Sequence, residues 1–193
     1  MRRSAKAAFA VGCLLILGSL GLLAATQLRV RQAREENAEI LRVMEEVLPP
    51  RREGLADTYR NMEMPALEIG GEDFAALLEI PAFGVTLPVS NHWEKGDVTL
   101  RPCRFWGTVY DGSLIVGGAD QPGQFDCFDR IPNGANVTVT DMTGAEFSYA
   151  VARVERSDSA RAEVLLDEEA ELTLFVRDAY SLEYIILRCV VSP

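Results

Sequence analysis

The amino-acid sequence predicts a mainly β protein: a closed β-barrel of about eight strands with short helices, preceded by an N-terminal transmembrane helix and a helical stalk. A charge-free run, Ala7 to Thr26, lies near the N-terminus. Helical spacing of apolar residues stops at Leu48. From about Leu67 onward, short β-branched and apolar segments alternate with turns rich in Pro, Gly, Asn and Asp, the pattern of a barrel rather than a bundle.

The charge-free run is twenty residues long, and at about 1.5 Å per residue it covers about 30 Å, the thickness of a hydrocarbon core. Arg2, Arg3 and Lys6 precede it, while Arg29, Arg31 and Arg34 follow it together with Glu35, Glu36 and Glu39. The short, purely basic tail points to an N-terminus inside and a C-terminal part outside. The competing reading is a cleaved signal peptide processed near Leu23-Ala24-Ala25, although the apolar run exceeds the usual h-region. Val30, Ala33, Ile40, Leu41, Met44, Val47 and Leu48 then recur at helical spacing, interrupted at Asn37, until Pro49-Pro50 ends the helix. The division is a tail over 1–6, a membrane helix over 7–26, a juxtamembrane helix over 27–48, a linker over 49–65 and a barrel domain over 66–193.

Strands are expected over Ala75–Ile80, Val85–Val89, Ser113–Gly117, Val137–Thr140, Phe147–Arg156, Leu172–Val176 and Tyr184–Val191. Asp141-Met142-Thr143-Gly144 reads as a hairpin turn, and Phe125–Ile131 and Ala160–Glu169 as short helices. The net charge is −10; residues 1–48 carry seven Lys/Arg and five Asp/Glu, so the rest of the chain is strongly acidic. That balance excludes nucleic acid as a partner. Cys13, Cys103, Cys127 and Cys189 have no C-x-x-C spacing and only His92 to help them, so neither a metal site nor a cofactor is expected. His92 reads as a surface histidine, Phe105 and Trp106 as packing residues, and Asp167-Glu168-Glu169 as a solvated face.

In order, the segments LEIPAFGVTLPV (Leu78–Val89), Trp93, RPCRFWGTVYDGSLIVGGAD (Arg101–Asp120), TDMTG and the closing LTLFVRD and ILRC resemble the sortases. These are membrane-anchored cysteine transpeptidases of Gram-positive bacteria, and the segments look most similar to the class B-like sortases. The resemblance implies a barrel outside the cell membrane, anchored by one N-terminal helix. Its partners would be a sorting-signal-like peptide, a pilin or an active sortase.

The resemblance also implies a histidine, a cysteine nucleophile and an arginine at the ends of three strands. At the matching positions this chain has Ala119, Arg177 and Tyr184. Alanine carries no proton, and a guanidinium stays protonated and cannot attack a carbonyl. The resemblance therefore implies a pseudo-sortase acting in peptide or partner binding or in cell-surface assembly. The alternatives are an active transpeptidase using non-standard residues and a structural spacer. If Arg177 lies in the vestigial cleft, it is expected to pair with Asp120, Asp178 or Glu183. Within the resemblance Cys103 and Cys189 read as structural, with a disulfide between them as the sharper alternative.

Overall fold

The computed structural model describes residues 2–54, 62–93 and 97–192, with side chains from Val11 onward. No proline occurs before Pro49, and the tail, the apolar run and the stalk form one helix, α1 (Arg2–Val47). Its apolar portion is exposed, and it is long and apolar enough to cross a membrane.

The lower part of α1 docks on the barrel, and Asn37 is central to the contact. Asn37 is 6% exposed; its Nδ2 donates to the Leu100 carbonyl at 2.9 Å and its Oδ1 accepts from Arg101 Nε at 3.0 Å. The guanidinium of Arg101 is itself buried, bonds Glu72, reaches Glu36 at 3.2 Å and lies 5.7 Å over the ring of Phe74. Burying a guanidinium is tolerable only when its donors are satisfied, as they are here. Ala33 and Met44 bury the apolar stripe on either side, and Arg34 Nε donates to the Pro122 carbonyl at 3.0 Å. The residue that interrupts the apolar period is thus the polar key of the interface.

The strands are β1 (Arg52–Glu53), β2 (Leu67–Ile69), β3 (Glu72–Ile80), β4 (Val85–Ser90), β5 (Cys103–Trp106), β6 (Leu114–Ala119), β7 (Asn136–Asp141), β8 (Ala145–Ser157), β9 (Leu172–Arg177) and β10 (Tyr184–Val191). Pairing runs β3-β4-β5-β6-β9-β10-β8-β7 and returns to β3, which closes an eight-stranded barrel; β1 adds to β8 and β2 to β3 at the edges. Closure leaves few unpaired strand edges.

Alternation along the strands divides two cores. Leu114, Val116, Leu172, Leu174, Val176, Ile185, Leu187 and Cys189 point into the barrel. Ile115, Phe175 and Ile186 point outward, where Leu165 joins them from the helix α2 (Ala162–Leu165) in the connection between β8 and β9. The period of two fixes this division, because a slip of one residue would exchange the two sets.

Several expectations are corrected. Strand β5 was not expected; a bulge between Arg104 and Trp106 breaks its alternation, which is the signal that strand recognition uses. The helix expected over Phe125–Ile131 is only a 3₁₀ turn, Phe128–Arg130, and the one over Ala160–Glu169 shrinks to α2. The start of the expected linker is structured: Gly54 N donates to the Glu146 carbonyl at 2.7 Å and Arg51 meets Glu79 at 2.7 Å, while residues 55–61 lie outside the described residues. Asp167 is not a solvated charge but sits between Arg153 and Arg188, the latter at 3.6 Å.

The hairpin expected at Asp141–Gly144 joins β7 to β8, and the Asp141 carboxylate organises it. This fully buried group accepts from Thr143 N at 2.8 Å, Ala145 N at 2.9 Å and the Tyr110 hydroxyl at 2.6 Å.

Replacing Arg101 by alanine leaves Glu72 and Asn37 without their buried partner, at a cost of about 2–3 kcal/mol. Amide exchange should then accelerate in Glu36–Leu48, while β9 and β10 keep their protection. Equal loss of protection in both would show that the helix and the barrel open as one unit.

Candidate functional site

Strands β6 and β9 pair in parallel with Ala119 opposite Arg177, and β9 and β10 pair antiparallel with Arg177 opposite Tyr184. The three positions singled out in the sequence therefore form one row across adjacent strands. At about 4.8 Å per strand, Ala119 and Tyr184 are about 10 Å apart. Alternation turns all three outward, on the same face as Gly117, Phe175 and Ile186.

The polar groups around the row are committed elsewhere. Arg177 is exposed, its Nε donates to the Leu182 carbonyl at 3.2 Å, and it forms no ion pair among the described residues. The expected salt bridge is thus replaced by a backbone contact. Its three candidate partners are taken. Asp178 meets Arg156 at 3.1 Å and Glu183 lies 3.8 Å from the same guanidinium, while Asp120 accepts from Ala179 N at 3.0 Å. Arg156, near the end of β8, was missed because only the antiparallel return of β10 along β8 brings it to this loop.

The loop between β9 and β10 is closed on itself. Asp178 Oδ1 accepts from Tyr180 N at 2.8 Å and from Ser181 N at 3.0 Å, and Asp178 N donates to the Glu183 carbonyl at 2.8 Å. Those backbone donors, with Arg156, hold the Asp178 carboxyl well below the usual carboxylate range. Leu182 has φ 64°, a left-handed conformation that costs a leucine about 1 kcal/mol or more.

Aromatic side chains fill the outward face beneath the row. Trp93 lies 5.5 Å from Phe175 and 5.2 Å from Phe105, and Phe175 lies 6.4 Å from Tyr184 between ring centres. Gly117 permits this: a Cβ there would fall 2.5 Å from both Phe175 and Trp93. Phe105 packs as expected from the sequence, whereas Trp106 is 62% exposed because the β5 bulge turns it outward. At the lower end Arg188 is buried and donates to the Val164 and Leu165 carbonyls, each at 2.5 Å, pinning α2 over the face. Beside the upper end an open hollow of about 310 Å³ is lined by Asp120, Pro122, Phe125, Asp126, Asp178 and Tyr180.

None of the barrel's thiols is placed as a nucleophile. Cys103, Cys127 and Cys189 are all free and buried. Burial raises Cys103 and Cys127 to about 11 and Cys189 to about 12, the reverse of what an attacking thiolate needs. The suggested Cys103–Cys189 disulfide is absent. Strands β5 and β10 are separated by β6 and β9, about 14 Å along the sheet, against the roughly 7 Å that a disulfide bridges. His92 contacts Asp73 at 3.2 Å and no cysteine.

These thiols should resist a small alkylating reagent at pH 7 in the folded protein and react once it is unfolded. In the folded state, labelling should rise only as pH climbs towards about 11, because the raised values keep the thiols protonated below it. Stoichiometric labelling of Cys103, Cys127 or Cys189 at neutral pH, read by mass spectrometry, would reveal an activated cysteine.

Comparison with known proteins agrees with the fold. A family model described as the sortase domain matches residues 78–181, just over half of the chain. Sortase C1 of Streptococcus agalactiae superposes with a TM-score of 0.56 at 16% identity, over 70% of this chain and 74% of that one. Sortase C-1 of Actinomyces oris gives 0.55 at 18% identity, over 72% and 94%. Sortase A of Corynebacterium diphtheriae gives 0.54 at 14% identity, over 88% and 85%. No individually curated protein matches the sequence. The likeness extends across sortases A and C and so carries the family rather than the class B-like subgroup. With its barrel closed in this order and the sortase domain matched along β3 to the β9–β10 loop, the chain belongs to the sortase family.

Proposed function

We propose that this chain is a membrane-anchored pseudo-sortase. Its barrel stands outside the cell membrane of a Gram-positive bacterium and binds a peptide or protein partner during cell-surface assembly. The observation that carries the reading is the row Ala119–Arg177–Tyr184: strand register keeps the three positions together, and none holds a base, a nucleophile or a second cation. Without a nucleophile and an acid, positioning alone leaves a rate lower by about 10⁴-fold or more.

Buried thiols with raised pKa values support the same conclusion, since no cysteine elsewhere takes over. The aromatic cluster over Gly117 occupies the middle of the face, so a partner would engage its open upper end and the hollow beside it. A solved sortase C of Clostridium perfringens carries a C-terminal cell wall sorting motif, which makes a peptide of that type the first ligand to try.

The test uses the full-length chain in detergent micelles with a library of sorting-signal peptides. Binding without cleavage above the buffer rate is expected. Cleavage abolished by mutating a single cysteine would overturn the reading.

A further inference from the structure

The docking of α1 gives the barrel a defined top and bottom relative to the membrane. Contacts descend the helix in order: Arg34 meets Pro122, Asn37 meets Leu100 and Arg101, and the chain just past the helix, at Pro49, lies against Gly144 of the β7–β8 hairpin. The two outer contacts are fifteen residues apart, about 22 Å along the helix and the turn that follows it, so the Pro122 end and the hairpin end are opposite poles. The β9–β10 loop belongs to the Pro122 pole, since Ala179 N bonds Asp120 and Tyr180 shares the hollow with Pro122. Only eight residues of helix, about 12 Å, separate Arg34 from Thr26 at the end of the apolar run.

The loop at that pole presents an unusual set of side chains. Tyr180 is 96% exposed and Leu182 58% exposed, the latter held outward in the left-handed conformation. Arg177 stands beside them without a carboxylate partner among the described residues. Asp178 and Glu183 face Arg156, and Asp120 faces the backbone of Ala179, so the loop's own carboxylates are occupied. An aromatic residue with a hydroxyl, an aliphatic residue and a guanidinium with no carboxylate partner among the described residues are the groups that suit the boundary between lipid headgroups and acyl chains.

We propose that the β9–β10 loop is a second membrane contact, in which Tyr180 and Leu182 enter the lipid interface and Arg177 binds headgroup phosphate. The row that resembles a catalytic site thus lies at the membrane-proximal end of its outward face, a peptide partner would reach the hollow beside it from the side of the barrel, and Arg177 acquires a role of its own. The inference rests on α1 spanning the membrane, and the test separates the two.

The full-length chain with Cys13→Ser is labelled with a fluorophore at Ala179→Cys, Glu53→Cys near the opposite pole, or Leu20→Cys within the apolar run. Each form is reconstituted in phosphatidylcholine and phosphatidylglycerol vesicles containing a spin-labelled quencher lipid. The label at 179 should be quenched about threefold more than the label at 53, and adding Tyr180→Ser with Leu182→Ser, or Arg177→Glu, should remove most of that difference. Quenching at 20 with equal, weak quenching at 179 and 53 overturns the loop contact and leaves the anchor standing. Absence of quenching at 20 overturns the membrane span and the loop contact with it.

Discussion

The parallel pairing of β6 with β9 is the constraint on which the candidate site depends. Parallel neighbours need a crossover, here the whole β7–β8 hairpin and the connection carrying α2, and the reward is that both strands end at the same pole. With β10 returning antiparallel, three strand termini meet there and residues 119, 177 and 184 come into one row. Inward residues Leu114, Val116, Leu174, Val176, Ile185 and Leu187 lock that register through the core. The outward positions at the strand ends, 119, 177 and 184, take no part in that inward packing. That separation lets the row hold its register whatever side chains it carries.

The face beneath the row is packed by side chains from several strands. Phe175 lies over Gly117, wedged against Trp93 and Phe105, and covers the strands with apolar packing. Arg188 ties α2 down over the same face, and Arg153 and Glu155 extend that tie to Asp167. The result is a rigid, largely filled face whose remaining openness lies at the upper pole. The second organising contact, Asn37 with Arg101, Glu72 and Glu36, fixes that pole relative to α1.

The barrel was legible in the sequence because its core strands are short β-branched and apolar runs bounded by turns that carry Pro, Gly, Asn and Asp. Strand β5 was hidden by its bulge, and β1 and β2 were too short to show a period. Ala119, Arg177 and Tyr184 were readable as one set because each lies at the end of an apolar strand. The partners of Arg177 were not, since the choice between Arg156 and Arg177 for Asp178 depends on side chains from three strands converging in space. Asn37 looked like a defect in an apolar stripe; only the position of Arg101 across the interface shows it to be a contact.

The central proposal is that the row Ala119–Arg177–Tyr184 keeps the geometry of a sortase site without its chemistry, and installing two groups tests it. A thiol at 177 in Arg177→Cys should alkylate slowly at pH 6–7, whereas Ala119→His with Arg177→Cys should alkylate about tenfold faster, because the neighbouring imidazolium stabilises the thiolate. With Cys13→Ser as the common background, the chain carrying neither change should show no labelling under the same conditions. A labelling rate at 177 independent of residue 119 would contradict the claim that the two positions still face each other.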